Sequence, residues 1–451
     1  MTSSRHRTSV WWLNPFWVFV TPLTLIACVA WLIPEADYQL YWRMPKVFYG
    51  TELVLCFWVA AAFSAGCLAA VLLDRALLRP PAAQLLPPPR APSWSGLTAL
   101  FYLGFAATVC AYALWLCLIV RQTGAGIFLG VLRGEGGSIY ELIRARKEAA
   151  ITGITSLTQA GIGTAMLGVM LGTQLGWRKV RLPLAVLFCL TFGRSVFLAE
   201  RLALIELMVP SLVLWLRLRG LDVLGAFSRK MVQLAPVVGV GALYALFTFG
   251  ESFRSWGHYS GQESSLLWFS LVRLSGYYVT ALNNGALQWQ DMGPVYFPYA
   301  VLDWLWRFPI FGGGLRDLCG GSGEFGEAYK DLLGEAANPE FSNNSGIFVT
   351  FIDFGVPGAM VFWALFGGVL MVLYRAFRRG SVFGLFLYPF AFMGLTDQVR
   401  HFYLTGGRTF VAWVFLWVII YVIRRELGNT GLHSSPAPAS PSERASQLKD
   451  A

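Results

Sequence analysis

Charged residues are scarce in this 451-residue chain. Asp, Glu, Lys and Arg make up 13% of it and hydrophobic residues 56%, and the mean hydropathy is +0.56. A typical water-soluble domain carries about 25% charged residues, so the composition excludes an ordinary soluble domain. Long apolar runs bounded by Arg or Lys recur along the chain. The sequence therefore predicts an all-α polytopic membrane protein.

Several common chemistries also lack their sequence signatures. The four His residues show no HExxH pattern, which argues against a zinc site. The Gly-rich stretch FGGGLRDLCGGSGEFGE lacks the Lys of a Walker A loop, and no GxSxG motif is present. Six of the seven Cys lie in apolar runs, so neither a disulfide framework nor a Cys-based metal site is expected. We predict no resident cofactor.

Ten apolar segments are predicted to span the membrane. The stretch 182–216 would be about 52 Å long as one helix, against a hydrocarbon core of about 30 Å. Two shorter spans that turn near Ala199 to Arg201 fit better. The predicted spans are 15–33, 47–73, 95–120, 151–175, 182–199, 200–216, 231–250, 345–374, 382–399 and 409–423.

With this count, every connector rich in Arg and Lys falls on one side of the membrane. The positive-inside rule makes that side the cytoplasm, so the net charge of +10 needs no nucleic-acid partner. The predicted organisation is a cytoplasmic tail at 1–14, a transmembrane domain at 15–424 and a disordered cytoplasmic tail at 425–451. The external side carries a loop near 121–150 and a large loop at 251–344. No cleavable signal peptide is expected.

Arginines on the external side break the positive-inside pattern. Guanidinium is a planar fork that suits phosphate, so these arginines favour an anionic ligand. Arg194 lies in an apolar span, where an isolated charge costs at least ~2.5 kcal/mol, and Arg201 follows it. Ion pairs with Glu200 and Glu206 are the alternative to a ligand.

Further arginines lie in the C-terminal half. Arg400 and Arg408 flank HFYLTGG, a short external turn between the last two spans. Arg273 lies in LLWFSLVRLSGYYVTALNN, an apparent amphipathic helix with Tyr and Asn side chains that suit sugar and phosphate contacts. An interfacial helix with an aromatic belt is the alternative.

The stretch NNSGIFVTFIDFGVPG places polar and helix-weakening residues in an apolar span. At 100° per residue, Gly355 and Gly358 lie about 20° and about −40° around a helix from Asn344, where a neighbouring helix or a lipid chain could approach. Pro357 has no N–H and predicts a kink. Asp353 points to the opposite side, where we expect it to pair with an Arg of another span or to act in catalysis.

This layout resembles the O-antigen polymerase family, the Wzy-type oligosaccharide repeat-unit polymerases. The shared features are ten or more spans, a large external loop in the C-terminal half, the Arg-bearing GRSVFLAE and the DFGVPG after the loop, over about residues 14–425. The related O-antigen ligases carry a His where this chain has Asn344, followed by a pattern that Ser345, Gly355 and Gly358 fit. The missing His argues against a ligase and leaves the catalytic base unassigned.

The resemblance implies a GT-C-like architecture in the bacterial inner membrane with a periplasmic active site. It implies transfer of the growing glycan from undecaprenyl diphosphate to the next lipid-linked repeat unit, without a metal, and with a chain-length regulator protein as a partner. The implied catalytic residues are Arg194, Arg201, Asn344 and Asp353, and further acids that could orient the acceptor are Asp303 and Glu324. The implied substrate contacts are Arg273, Tyr277, Tyr278, Asn283, Arg316, Arg400 and Arg408.

Three alternatives remain open beside this one. The first is an O-antigen ligase. The second is a metal-dependent glycosyltransferase that uses a lipid monophosphate sugar and the acidic pair Glu35 and Asp37. The third is a lipid or glycan transporter. Most intramembrane charges lie near the outer ends of spans, with Glu52, Glu206 and Asp353 as exceptions. This distribution favours an outward-facing active site over a transport path.

Overall fold

The computed structural model is helical in the part of the chain that it describes, with no strand there. The helices of the N-terminal half are α1 (Pro15–Leu32), α2 (Glu35–Trp42), α3 (Gly50–Leu77), α4 (Ser95–Thr123), α5 (Gly126–Leu132), α6 (Gly136–Glu148), α7 (Ala160–Leu175), α8 (Arg181–Phe197) and α9 (Arg201–Arg219). The residues described are 10–77, 94–133, 135–151, 153–198, 200–220, 225–254, 256–259, 261, 265–308, 310–321 and 325–429.

The C-terminal half alternates long and short helices. They are α10 (Ala226–Gln233), α11 (Ala235–Arg254), α12 (Trp256–Tyr259), α13 (Leu266–Met292), α14 (Asp303–Trp306), α15 (Gly312–Leu318), α16 (Phe325–Ala336), α17 (Val349–Arg379), α18 (Val382–Thr396) and α19 (Phe410–Asn429). Helix α19 continues past position 425, where the disordered tail was predicted to begin. Residues 430–451 lie outside the described part.

Each of the ten predicted spans contains a helix. Helix α8 ends at Phe197 and α9 begins at Arg201, so the predicted division of 182–216 into two helices is confirmed. Within the described residues, five helices are long and apolar enough to cross a membrane, and α18 is a shorter apolar helix. The five spans are Pro15–Leu32, Gly50–Asp74, Ser95–Thr123, Ala235–Ser252 and Val349–Arg379.

Local sequence signals explain several of the helix boundaries. Asn14 caps α1 by accepting a hydrogen bond from the backbone N–H of Phe16 at 3.1 Å, and Pro15 occupies the first helical position. The hydroxyl of Ser265 caps α13 in the same way, by accepting from the N–H of Trp268 at 3.2 Å. Gly380, in the left-handed conformation, ends α17.

Connectors of the long helices meet in two groups, at two ends of the bundle. Asp74 pairs with Arg375 and Arg379 at the first end, which we call the Asp74 end. Contacts that belong to this end are Arg217 to the Phe377 carbonyl (2.9 Å), Tyr102 to the Lys179 carbonyl (2.9 Å) and Trp12 to the Val232 carbonyl (2.7 Å). Contacts at the other end, the Glu200 end, are Arg146 to the Leu198 carbonyl (2.7 Å), Arg408 to Glu200 (3.9 Å), and Thr405 to the Ala300 carbonyl (3.0 Å).

Helices α3 and α17 pack closely through small residues. A Cβ atom at Gly66 would overlap the carbonyl oxygen of Ala364, and one at Gly367 would overlap the carbonyl oxygen of Phe63. The Cys67 thiol donates to the Gly367 carbonyl at 3.3 Å. Small residues that let two backbones approach in this way are typical of helix pairs in membranes.

The mutation Gly367→Ala is therefore expected to lower the free energy of unfolding by about 1–3 kcal/mol, because the added methyl group forces the two helices apart. Gly368→Ala is the matched control. A Cβ there would lie 3.5 Å from its nearest neighbour, the Gly66 carbonyl oxygen, so it is expected to be neutral or slightly stabilising. Thermal unfolding in detergent measures both variants, and equal melting temperatures would contradict this account of the packing.

The predicted kink in α17 is present, and Gly355 makes it. Gly355 has φ 66° and ψ 176°, a conformation that side chains rarely adopt, two residues before Pro357. The segment after α13 docks on this break: the N–H of Val295 donates to the Ile352 carbonyl at 2.8 Å. A Cβ at Gly355 would lie 3.0 Å from the ring of Tyr296. The residue that approaches Gly355 closely is thus in a loop, where the sequence predicted a neighbouring helix or a lipid chain.

Candidate functional site

Three arginines from distant parts of the sequence meet at the Glu200 end. Arg194, in the last turn of α8, pairs with Glu200 and donates to the Thr158 hydroxyl at 3.1 Å. Nη1 of Arg146, on α6, lies 3.2 Å from Oε1 of Glu200. Nη1 of Arg408, just before α19, lies 3.9 Å from the same oxygen. We call Arg146, Arg194 and Arg408 the arginine cluster.

Glu206 fixes one side of the arginine cluster. Its Oε2 accepts from Nη2 of Arg408 at 2.6 Å and from Nε2 of Gln159 at 3.2 Å, and its Oε1 accepts from the Tyr403 hydroxyl at 2.8 Å. The Glu206 side chain is only 2% exposed. A buried carboxylate with three donors holds its neighbours in one geometry, so Arg408 is preorganised.

The guanidinium of Arg194 is buried against aromatic rings. It lies 4.8 Å from the centroid of the Trp115 ring and 6.0 Å from that of Tyr112. Cation–π contact of this kind favours a charge that has been removed from water. This explains how an arginine predicted to lie in an apolar span is accommodated there.

Positive charge exceeds negative charge among the described side chains of the cluster, where three guanidinium groups share Glu200 and Glu206. Burial would raise the pKa of Glu200, but Arg194, Arg408 and Arg146 outweigh it and hold that pKa below its ordinary value. Burial, together with repulsion from Arg194 and Arg408, lowers the pKa of Arg146 against the attraction of Glu200. The described side chains of the cluster therefore carry a net positive charge.

Exposure decides which arginine an external anion can reach. The Arg194 side chain is 6% exposed, that of Arg146 17% and that of Arg408 34%. Arg194 thus acts mainly through its charge and its hold on Glu200, whereas Arg408 and Arg146 present atoms to a ligand.

A second charged group lies in the turn after α18. Nη2 of Arg400 is 3.1 Å, and Nδ1 of His401 3.0 Å, from Oδ2 of Asp397. Arg408 also acts electrostatically on the buried Asp397 carboxylate. The influence of Arg408 on Asp397 links this group to the arginine cluster.

Tyr278, on α13, lies within electrostatic range of Asp397 and Arg400. Burial raises the pKa of its hydroxyl to about 12, and the negative charge of Asp397 adds to the effect while Arg400 opposes it. The structure therefore brings together four of the predicted site residues: Arg194, Arg408, Arg400 and Tyr278. Arg201 begins α9 beside them, but its side chain is outside the described part of the structure.

Arg273, predicted to contact substrate, is engaged by two acids. Its Nε lies 3.2 Å from Glu251 and its Nη1 2.8 Å from Glu340, and the rings of Phe269 and Phe341 flank the guanidinium. Its side chain is 7% exposed. These contacts make Arg273 a brace between α11, α13 and the chain before α17.

Tyr277, Asn283 and Arg316 have structural surroundings too. The Tyr277 ring packs on those of Phe247 and Phe341, with centroids 5.7 and 5.4 Å away. Arg316 pairs with its neighbour Asp317 at 2.8 Å.

Asn283 joins α13 to the chain that precedes α3. Its side-chain oxygen accepts from the N–H groups of Val47 and Phe48, at 2.7 and 3.0 Å, and its side-chain nitrogen donates to the Pro45 carbonyl at 2.9 Å. These three partners are backbone groups, so a structural role is sufficient for Asn283, and its predicted substrate contact stays a prediction.

Asp353 binds backbone amides rather than the expected arginine. Its Oδ2 accepts from the N–H groups of Ala300 and Val301, at 3.0 and 2.9 Å. Its carboxylate thus holds the loop before α14. This structural role is sufficient to explain why an acid occupies this position. Asp303 also stabilises a loop: it pairs with Arg307 at 2.6 Å and accepts from the Gly407 N–H at 3.2 Å. The third acid considered, Glu324, lies outside the described residues.

Asn344 lies in a turn that packs on the chain after α18. The Ser345 hydroxyl donates to the Val399 carbonyl at 3.2 Å, and a Cβ at Gly346 would overlap the Gln398 carbonyl and lie 2.6 Å from the His401 carbonyl carbon. Asn344 itself is half-buried. The NNSG turn and the HFYLTGG turn therefore form one surface.

No family model, curated protein or solved structure matches this chain. The function has to be inferred from the site itself. The sequence-based prediction missed the part played by Arg146, Asp397, His401 and Tyr403. For Asp397 and His401 a signal existed, because TDQVRHF places an acid and a histidine four residues apart beside an arginine. For Arg146 and Tyr403 the contacts come from residues far away in the chain.

Proposed function

We propose that this protein is a membrane glycosyltransferase that polymerises lipid-linked oligosaccharide repeat units at the periplasmic face of the bacterial inner membrane. The observation that carries the proposal is the arginine cluster, in which three guanidinium groups share two carboxylates and Arg408 is 34% exposed. A site with this charge, at one end of apolar helices, suits a lipid diphosphate that arrives from the bilayer.

The proposal includes ten membrane crossings with both termini in the cytoplasm. It is supported by the two groups of connectors, because alternate connectors of an up-and-down bundle meet at the same end. The Asp74 end, with Arg217, Arg375 and Arg379, fits the cytoplasmic side. The Glu200 end, with the arginine cluster, then faces the periplasm, together with the large loop at 251–344.

The proposed reaction exchanges one bond at the anomeric carbon of the growing chain. A hydroxyl oxygen of the incoming repeat unit attacks this carbon, and the bond from the carbon to the diphosphate oxygen breaks. Undecaprenyl diphosphate leaves with the bonding electron pair, and the hydroxyl proton passes to a base. The arginine cluster stabilises the negative charge that develops on the departing diphosphate. Because the diphosphate already activates the donor, no nucleotide is consumed.

The test is polymerisation by the purified protein in proteoliposomes supplied with the lipid-linked repeat unit. Arg146→Ala is expected to lower the initial rate about 10–100-fold, because it removes one guanidinium from the cluster. Arg144→Ala is the matched control on the same helix. Its side chain is 82% exposed and pairs with Glu148 at 2.8 Å, so the rate should stay within about twofold. Equal rates in the two variants would contradict the role of the cluster.

The alternatives predict different products. Surface glycan in a deletion strain should consist of single repeat units for a polymerase, whereas a ligase or a transporter would leave no glycan on the surface. A rate that collapses in EDTA, with inactive Glu35→Ala and Asp37→Ala variants, would favour the metal-dependent glycosyltransferase. For the proposed polymerase we expect activity to persist in EDTA.

A further inference from the structure

His401 has a buried carboxylate close to its Nδ1 atom. Its Nδ1 lies 3.0 Å from Oδ2 of Asp397, and Arg400 lies 3.1 Å from the same oxygen. The Asp397 side chain is 8% exposed, whereas that of His401 is 29% exposed. The acid is thus buried and held by charge, and the imidazole reaches the surface.

A buried carboxylate at Nδ1 determines what the other nitrogen can do. Its negative charge, 3.0 Å from Nδ1, favours the tautomer with the proton on Nδ1, although the two atoms are not aligned as a hydrogen bond. Nε2 then carries a free lone pair, and the carboxylate stabilises the imidazolium that forms when Nε2 takes a proton. This is the arrangement of a general base.

The imidazole also lies beside the arginine cluster. The ring centroids of His401 and Tyr403 are 5.6 Å apart, and the Tyr403 hydroxyl donates to Glu206, which binds Arg408. On its other side, the backbone of His401 packs against Gly346 in the NNSG turn. His401 is therefore connected through Tyr403 and Glu206 to the arginine cluster, and its backbone contacts the turn that carries Asn344.

Other acids at this end are committed elsewhere. Asp353 accepts from two backbone amides, Asp303 from Arg307 and a backbone amide, and Glu206 from three side chains. Each would have to release its partners before it could take a proton from a substrate. No described residue hydrogen-bonds the Nε2 atom of His401, so this atom requires no such release.

We propose that His401 is the general base of the polymerisation, with Asp397 as its positioning residue. This inference rests on the proposed function. Nε2 takes the proton of the acceptor hydroxyl as its oxygen bonds to the anomeric carbon and the diphosphate leaves with the electron pair of the broken bond. The proton then passes from the imidazolium to solvent. Of the charged and titratable groups near this step, Asp397 and Tyr403 contact His401, and Arg400, Arg408 and, from α13, Tyr278 interact with Asp397.

The experiment compares pH–rate profiles of the wild type and His401→Gln in the proteoliposome assay. The wild-type rate should fall at acidic pH, because an imidazole that already carries a proton on Nε2 cannot accept another. His401→Gln should be at least about 100-fold slower at pH 8 and should lack this fall. His401→Asn is measured in parallel, and melting temperatures identify the variant that remains folded. A folded variant that keeps more than about a tenth of the rate, or that keeps the acidic fall, would overturn the proposal.

A second measurement on the wild type needs no variant. Diethyl pyrocarbonate acylates neutral imidazole, so mass spectrometry should find His401 modified, with inactivation in proportion and protection by the lipid-linked repeat unit. Modification without loss of activity, or no reaction at His401, would refute the assignment.

The two proposals, the polymerase function and the general base, can fail separately. If the wild type makes no polymer, the proposed function fails; if Arg146→Ala is slow while His401→Gln is not, only the general base fails.

Discussion

Arg408→Ala is expected to slow glycan polymerisation at least about 100-fold, the largest loss of rate for any single member of the arginine cluster. Arg408 is the most exposed of the three, and it contacts both Glu206 and Glu200. Removal of one preorganised donor from a developing negative charge typically costs about two to three orders of magnitude in rate. The initial rate in proteoliposomes, measured at saturating repeat unit, reports the effect.

Two further variants show whether charge or geometry is responsible. Arg408→Lys keeps the charge but loses the planar fork, so its rate should lie between those of the wild type and Arg408→Ala. Arg307→Ala removes a 76% exposed arginine, paired with Asp303, near the same turn; we expect its rate to remain within about twofold of the wild type. If Arg307→Ala were as slow as Arg408→Ala, the loss would reflect the general charge of this surface.

Glu206→Ala is expected to cause the largest loss of stability, about 3 kcal/mol of the free energy of unfolding. The substitution removes the buried common partner of Arg408, Gln159 and Tyr403 and leaves the partly exposed guanidinium of Arg408 without its main counter-charge. Glu206→Gln should lose less, because an amide oxygen still accepts hydrogen bonds. Chemical or thermal denaturation in detergent measures both variants.

Glu148 provides the comparison for this prediction. It is an acid at the same end of the bundle, 54% exposed and paired with Arg144. Glu148→Ala should change the free energy of unfolding by no more than about 0.5 kcal/mol, since exposed ion pairs contribute little. A stability loss for Glu206→Ala no larger than that of Glu148→Ala would show that the contacts of Glu206 are not energetically important.

The positions of the long helices were predictable because apolar runs and their basic boundaries are local properties of the sequence. Even the division of 182–216 followed from length alone, since a continuous helix would exceed the hydrocarbon thickness. The pairing of Arg194 with Glu200 was also within reach of the sequence, as the alternative to a ligand. Both inferences depend on residues that are close together in the chain.

The composition of the site depends on contacts that no local pattern encodes. Arg146 meets Glu200 across 54 positions, from 146 to 200, and Glu206 meets Arg408 across 202, from 206 to 408. Arg273 has the same residue type and a similar setting in the sequence, yet Glu251 and Glu340 surround it. Sequence context alone could not distinguish an arginine of the cluster from an arginine that braces the fold.

The opening of α17 shows where a sound local argument failed. Pro357 correctly predicted a kink, but the placement of Gly355 and Gly358 relative to Asn344 assumed a continuous helix. Because Gly355 adopts a positive φ, that angular relation is lost. At this break the N–H of Val295 donates to the Ile352 carbonyl, and the N–H of Ala300 donates to Asp353. These contacts are tertiary, and the second explains why the apolar run contains an acid.

Glu206 and Arg408 are in contact but lie far apart in the sequence, and this has a consequence for how the protein is inserted and folded. If α9 crosses the membrane as proposed, the ribosome delivers it to the insertion machinery well before the turn that carries Arg408 is translated. During that interval Glu206 lacks its later partner Arg408, so its carboxyl group must keep contact with water. Insertion of the last helix pair is then the step that neutralises this acid, and a chain released before that step would carry a membrane-embedded carboxylate for quality-control proteases to recognise.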